Sequence, residues 1–143
     1  MSSRKHFFRP SAAPRKPSVP LWLEELEGRY APAIFTPLPS ALDGTSQSLR
    51  SALLTADANG DASNTISLAA GVYSLTDAAA GNLLIQDTAS GVASKTFTLV
   101  GQGASSTVVT GGPGWNDRDF QIVGASGAAV TVTFQNVAIE GGD

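Results

Sequence analysis

TFTLVGQG (residues 96–103) is the first of four short runs that repeat one pattern in the last third of the chain. STVVTGG (106–112), DFQIVG (119–124) and AVTVTFQNVAIEGG (129–142) follow it. Val, Ile, Thr and Phe suit a pleated, half-buried surface, and the glycine near the end of each run permits a sharp turn. Strands this short bury no core alone, but they do so when they stack as successive turns of a coil. The pattern therefore predicts a repeating β architecture.

Three shorter runs of the same type come before these four: TISL, VYSL and LLIQ at residues 65–68, 72–75 and 83–86. Leu99 and Ile122, each centred in a run, are 23 positions apart. A spacing in the low twenties is what one turn of a parallel β-solenoid with three short strands requires. A β-sandwich is the alternative fold with many short strands. We disfavour it because neither two-residue hairpin signals nor strict polar/apolar alternation dominates.

A helix is predicted over residues 46–58, where Leu49 and Leu53 lie on one face at the spacing of an amphipathic helix. Ser46 or Thr45 is expected to cap its N-terminus. The end of a solenoid exposes unpaired strand edges and an open apolar interior. We expect this helix to cover that end, with Leu49 and Leu53 closing the interior.

The formal net charge of −3 is unevenly distributed along the chain. Residues 1–20 hold five basic residues and no acid, whereas the rest of the chain is acidic. An acidic folded part argues against a nucleic-acid partner. The lack of cysteine excludes disulfides, thiol nucleophiles and thiolate metal sites. No apolar run approaches the roughly 18 residues that a transmembrane helix needs, and the N-terminus has no continuous apolar signal core.

Two regions are expected. Residues 1–44 form a basic, proline-rich leader, a short helix over residues 21–33 and an extended linker over residues 34–40; this region is expected to be largely disordered and related to export. Residues 45–143 form the cap helix and the first coils of the solenoid. Because an uncovered last coil would expose strand edges, further coils of the same protein are expected C-terminal to residue 143.

The segment SLRSALLTADANGDASNTISLAAGVYSL (residues 48–75), followed by TLVGQG, TVVTGG and FQIVG, resembles the N-terminal part of bacterial right-handed parallel β-helix surface proteins of the pectate-lyase-like superfamily. The most similar subgroup begins with a Cys-Ser-Leu-Arg-Glu-Ala motif. Four positions match and two differ: Ser48, Leu49, Arg50 and Ala52 match, Gln47 replaces the cysteine, and Ser51 replaces the glutamate. The resemblance implies an all-β, right-handed parallel β-helix over roughly residues 45–143, with an N-terminal capping α-helix.

The segment LEELEGRYAPA (residues 23–33) resembles an N-terminal motif of exported planctomycete-type proteins, in which a basic leader precedes LExLEdRxxPA. Seven positions match and Gly28 replaces the usual acid; the matches are Leu23, Glu24, Leu26, Glu27, Arg29, Pro32 and Ala33. This resemblance implies an extracellular or cell-surface location. An ordinary solvated helix before a linker is the alternative for so short a segment.

DANGD places oxygen ligands at alternate positions, Asp57, Asn59 and Asp61, as a calcium-binding loop does. The rest of that loop is missing, because Ala62 stands where the invariant glycine belongs and Leu68 where the bidentate glutamate belongs. A helix-to-strand connector is therefore the preferred interpretation. No other metal or cofactor is expected.

The loop at residues 116–119 is the candidate ligand-binding site. Asp117 and Asp119 could in principle act as acid and base, and Trp115 beside them could stack on a sugar ring. No second acidic cluster faces them in the sequence. Pairing of Arg118 with a nearby acid at the surface, and packing of Trp115 against its neighbours, are therefore the preferred interpretations.

His6 is the only histidine and lies in the leader, which excludes Ser-His-Asp catalysis and histidine metal sites. Without converging carboxylates, we favour a non-catalytic, secreted or cell-surface protein of the structural or adhesion type. Its expected partners are polysaccharides or cell-envelope components. The alternative is the N-terminal part of a polysaccharide lyase or glycoside hydrolase whose catalytic coils lie beyond residue 143.

Overall fold

The computed structural model describes residues 31–88, 94–124 and 128–143. The basic leader and most of the helix predicted over residues 21–33 lie outside these residues. The described part is mostly β-strand with one short helix. In chain order the elements are β1 (Ala33–Phe35), α1 (Leu49–Ala58), β2 (Ser63–Ser67), β3 (Gly71–Leu75), β4 (Leu83–Gln86), β5 (Ser94–Val100), β6 (Thr107–Gly111), β7 (Phe120–Val123), β8 (Ala129–Gln135) and β9 (Ala138–Glu140).

The strands form three sheets, none of them closed into a barrel. The first sheet has the order β1-β2-β5-β8, the second β3-β6-β9 and the third β4-β7. Every strand pairing among the described residues is parallel. The prediction of parallel neighbours is confirmed, and the antiparallel pairing that a β-sandwich requires does not occur in this part of the chain.

The chain visits the three sheets in a constant order. β2, β3 and β4 lie in the first, second and third sheet, and β5, β6 and β7 repeat that order. β8 and β9 then return to the first and second sheet. Each such set is called a cycle below. Parallel pairing follows directly, because a strand that returns to its sheet after one cycle runs in the same direction as its predecessor.

The cycles are longer than the 23 positions predicted from Leu99 and Ile122. Leu99 pairs with Ile66, 33 positions earlier, and with Phe134, 35 positions later. Ile122 lies in the third sheet, so Leu99 and Ile122 belong to one cycle and not to successive ones. The predicted spacing was wrong because connections such as residues 112–119 are much longer than tight corners.

Alternate residues of β2 to β6 face the interior. In β5 the side chains of Lys95, Phe97 and Leu99 are fully buried, whereas the residues between them are half-buried. Parallel register stacks the inward residues of successive cycles into columns, such as Ile66, Leu99 and Phe134. The buried cluster also includes α1: its members are Leu49, Leu53, Ala56, Ile66, Leu68, Tyr73, Leu75, Leu83, Ile85, Phe97, Leu99 and Val109.

The segment predicted to be an extended linker contributes a strand. β1 pairs with β2, and Phe35 packs against the core. The prolines that follow lie along β3, since the Tyr73 hydroxyl is 3.3 Å from the carbonyl oxygen of Pro37 and a Cβ added to Gly71 would approach Pro39 to 2.6 Å. Prolines lack the N–H that an inner strand must donate, so they suit this outer position.

The predicted helix forms, and it begins three residues later than expected, at Leu49 instead of residue 46. Ser48 is the N-cap, and its hydroxyl accepts a hydrogen bond from the Ser51 N–H at 3.2 Å. The predicted caps, Thr45 and Ser46, lie in the turn before the helix, where Ser48 N–H donates to the Thr45 carbonyl. Burial of Leu49 and Leu53 is confirmed, with 3% and 1% of each residue exposed.

The last predicted run, residues 129–142, divides into β8 and β9. The break lies at Asn136, which adopts a left-handed backbone with φ 54°. Asparagine tolerates this conformation better than most residues. The break transfers the chain from the first sheet to the second.

No helix within the described ranges is long and apolar enough to cross a membrane.

Candidate functional site

The candidate ligand-binding residues lie in the connection between β6 and β7. Trp115 packs against the buried cluster. Its indole ring lies so close to Gly111 that a Cβ added to this glycine would collide with it. The indole Nε1 is buried and makes no hydrogen bond in the described part of the chain. The ring faces are thus used for packing, as the preferred sequence interpretation had it.

The Asp117 carboxylate accepts hydrogen bonds from two backbone N–H groups. One carboxylate oxygen accepts from the Asn82 N–H at 3.2 Å, and the other accepts from the N–H of Arg118 at 2.8 Å. The Arg118 side chain lies 3.9 Å from Asp117, and the two side chains are 62% and 39% exposed. The predicted surface pair is present, but exposed pairs of this kind add only about 0–1 kcal/mol.

Asp119 has a different environment from Asp117. It is 5% exposed, and burial raises the pKa of its carboxyl above the ordinary value. Its Oδ1 has no hydrogen-bond partner among the described residues. Its backbone carbonyl accepts from the Leu83 N–H at 2.8 Å, which aligns β7 with β4. The Asp117 carboxylate therefore bonds to a residue of the first cycle, whereas Asp119 is buried. Neither the hydrogen bonds nor the burial show the two carboxyl groups acting in one reaction centre.

An open groove of about 400 Å³ adjoins Asp119 at the end of the sheets that is farthest from α1. Phe120 and Phe134 form part of its lining and meet edge to face, with ring centroids 5.1 Å apart. Arg118 and Glu140 provide charges of opposite sign at its border. The groove thus combines the two aromatic rings with four charged residues: Arg118, Asp119, Glu140 and Asp143.

The three weak metal candidates do not converge. Asp57 Oδ1 accepts from the Gln86 N–H at 3.1 Å. Asn59 instead bonds to Asn64 at 2.6 Å and accepts from the Asp61 N–H at 3.1 Å. No group of three or more metal-ligating side chains occurs within the described ranges.

A buried lysine contacts the backbone of two of these candidates, Asp57 and Asn59. Lys95 Nζ donates to the backbone carbonyls of Ala56, Asp57 and Asn59 at 2.8, 2.7 and 2.7 Å. It also lies 3.8 Å from Asp87 Oδ1, and the side chains of Lys95 and Asp87 are 0% and 2% exposed. The ammonium group thus satisfies the carbonyls at the C-terminal end of α1.

The Asp57 carboxyl beside this lysine is unusual. Burial raises its pKa to about 6, against the opposing effects of the Gln86 hydrogen bond and the Lys95 charge, and with a further contribution from Asp87. Its Oδ2 is buried and has no hydrogen-bond partner in the described chain. The group thus titrates near neutral pH inside the fold.

Sequence reasoning missed this network, although one signal was available. Lys95 precedes Phe97 and Leu99 by two and four positions, so period-2 alternation places its side chain on the inward face. Lysine is almost never fully buried without partners. An inward lysine therefore indicates a buried set of acceptors, but the carbonyls of α1 are 36 to 39 residues away in the chain.

The described side chains bind backbone groups, close the core and carry buried charge. No model of a known protein family, no curated protein and no solved structure matches this chain.

Proposed function

We propose that this chain is the N-terminal part of an exported right-handed parallel β-helix protein, with a non-catalytic structural or adhesive role at the cell surface. Its ligands are polysaccharides or other cell-envelope components. The constant order in which the strands visit three parallel sheets supports the solenoid, because one turn of a three-sided coil generates that order. The position of β1 and α1 over the first cycle supports the capping role.

The observation that carries the proposal is the outer face of the first sheet. Two ladders of hydroxyl side chains cross β2, β5 and β8 in register: Ser63, Thr96 and Thr131 form one, and Thr65, Thr98 and Thr133 form the other. Neighbouring members are about 4.8 Å apart, the spacing of adjacent strands. The outward positions of these three strands carry no charged residue. This neutral, regular hydroxyl surface is suited to contacts with uncharged polymer and lacks groups for acid–base chemistry.

The alternative is the N-terminal part of a polysaccharide lyase or glycoside hydrolase. Such enzymes need carboxylates, with Arg, Lys or a metal, that converge on one groove. In the 112–119 connection, Asp117 is engaged by backbone N–H groups and Asp119 is enclosed. These contacts favour the scaffold, whereas the charged lining of the groove, with Arg118, Asp119, Glu140 and Asp143, is the feature that favours the enzyme.

Further cycles of the same protein form part of the proposal. Ile122 and Ile139 continue the inward columns of Ile85 and Val109, which are 0% exposed. Ile122 and Ile139 are themselves 49% and 42% exposed. Additional parallel strands on this side would bury both, together with the groove beside Phe134.

One experiment tests polymer binding by residues 1–143 and any cleavage that these residues carry out themselves. The purified chain is incubated with pectin, alginate and cellulose, and the assays are co-sedimentation, release of reducing ends and formation of unsaturated products. We expect co-sedimentation with cellulose, the uncharged polymer of the three, and no cleavage of any of them. Thr98→Lys should abolish co-sedimentation with cellulose because it places a charge in the hydroxyl face, whereas Thr110→Lys on the second sheet should not. Cleavage that disappears in Asp117→Asn, but persists in Glu140→Gln, would establish the enzyme.

Export is tested separately, by fractionating cells that express a tagged chain. We expect the tag in the envelope or the medium. Replacement of Leu23, Leu26 and Arg29 by serine should retain the tag in the cytoplasm if the leader motif directs export. An unchanged distribution would remove the support that this motif provides.

A further inference from the structure

α1 ends with carbonyl groups that its own sequence does not satisfy. The last four carbonyls of a helix have no partner within the helix, and the last turn of α1 contains no basic residue. Lys95, which lies 36 to 39 positions later in the chain, donates hydrogen bonds to the carbonyls of Ala56, Asp57 and Asn59. Its positive charge also lies at the negative end of the helix dipole.

We propose that Lys95 is a latch that couples the cap helix to the second cycle, so that α1 opens together with β5 and not as a separate unit. The latch keeps the open end of the core closed, whatever ligand the protein binds.

The size of α1 makes such a latch necessary. The helix has 10 residues, and isolated helices of this length are marginal in water. Its N-terminus is capped from within by Ser48, whereas its C-terminal carbonyls depend on β5. If β5 separates, both the ammonium and the carbonyls lose their partners, and an unpaired buried polar group is costly. Opening α1 while β5 stays in place, or the reverse, is therefore unfavourable.

The charges around the latch make it sensitive to pH. Asp57 from α1 and Asp87 from the segment after β4 both face Lys95, and Asp61 lies in the connection between α1 and β2. Burial disfavours the ionised form of Asp57 more than the Gln86 hydrogen bond and the Lys95 charge favour it, and its pKa is raised as a result. The latch should therefore hold best at acidic pH, where the Asp57 carboxyl is protonated.

Hydrogen exchange measured by mass spectrometry on the whole chain tests the proposal. In the wild type, amides of α1 and of β5 should follow one common opening curve as urea is added, while both remain in the native state. In Lys95→Met, which keeps the length and removes the charge, amides of α1 should exchange at least about tenfold faster than those of β5. Thr96→Val, at the neighbouring outward position, should leave the common curve intact.

Two outcomes would overturn the latch. One is an α1 in the wild type that opens at lower urea than β5, and the other is unchanged α1 exchange in Lys95→Met. If Lys95→Met does not fold, the wild-type curves decide the question alone. A second readout is the pH series: protection of α1 in the wild type should fall between about pH 4 and 6, and in Asp57→Asn it should not.

Discussion

Arg50 donates two parallel hydrogen bonds to the Asp43 carboxylate, from Nε to Oδ1 and from Nη2 to Oδ2, each 2.8 Å long. The two side chains are 9% and 2% exposed. Asp43 also accepts from the N–H groups of Thr76 and Asp77, and Arg50 Nη1 donates to the Asn82 carbonyl. One ion pair therefore joins the segment before α1, the helix itself and the connection between β3 and β4.

Loss of this pair should destabilise the fold strongly. Burial alone raises the pKa of Asp43, but the bonds from Arg50, Asp77 and Thr76 outweigh it and hold the pKa below its ordinary value. Asp43→Asn leaves the Arg50 charge enclosed without a counter-ion, and we expect a loss of about 3–5 kcal/mol in the free energy of unfolding by urea. Arg118→Ala, which breaks an exposed pair, should cost less than about 1 kcal/mol. Equal losses in the two variants would contradict the assigned role.

Stability should depend on pH through Asp57. Its pKa in the folded state is about 6, above the ordinary 3.8, so its favourable contribution is present at low pH and is lost as pH rises through about 6. The loss is on the order of 1–3 kcal/mol. Asp43 acts in the opposite sense, because its lowered pKa makes its contribution disappear in acid.

Urea unfolding across pH 2 to 8 should therefore show greatest stability near pH 4, between the acid loss through Asp43 and the decline through Asp57. Asp57→Asn should flatten the decline between about pH 4 and 6 and leave the acid limb unchanged. A decline of the same size in this variant would mean that another group is responsible.

Leu53 and Leu54 are adjacent residues of α1 that differ in burial, and together they test whether the helix closes the core. Leu53 is 1% exposed and Leu54 is 54% exposed. Leu53→Ala should lower the free energy of unfolding by about 2–5 kcal/mol, since it opens a cavity under α1, and Leu53→Asp should reduce soluble yield. Leu54→Ala should change stability by no more than about 0.5 kcal/mol. If Leu53→Asp melted like the wild type, the helix would not close the core.

Gly111 and Gly60 test the packing of Trp115. A Cβ on Gly111 would collide with the Trp115 ring and come 2.7 Å from the carbonyl oxygen of Gly141, whereas a Cβ on Gly60 would have no neighbour within 4 Å. We expect Gly111→Ala to displace the indole, with a red shift of its fluorescence and a loss of about 1–3 kcal/mol. Gly60→Ala should leave both measurements close to wild type. An unshifted spectrum in Gly111→Ala would argue against the packed position of the ring.

Local pattern predicted much of the secondary structure. The runs around Leu99 and Ile122 are strands, and the face that carries Leu49 and Leu53 is buried, because alternation and helical periodicity depend only on near neighbours. β1 was missed because Pro32 and Pro37 flank it, and prolines indicate a linker more often than an edge strand.

The sequence located the candidate loop but did not predict its geometry. Trp115 packs against the core and Arg118 lies at the surface, as their residue types indicate. The separate environments of Asp117 and Asp119 depend on which neighbour each meets in another cycle, so residues two apart in the chain received different surroundings. Asp57 likewise became a buried acid beside Lys95, which no spacing in the DANGD segment indicates.

By itself, the order of residues determined where strands and helix form and which face of each is apolar, since those properties arise within a few residues. Only the tertiary structure decided the length of a cycle, the partner of each strand and the meeting of Lys95 with the end of α1. These depend on how far each connection carries the chain before it returns, and connections of many lengths are compatible with the same alternation in the strands.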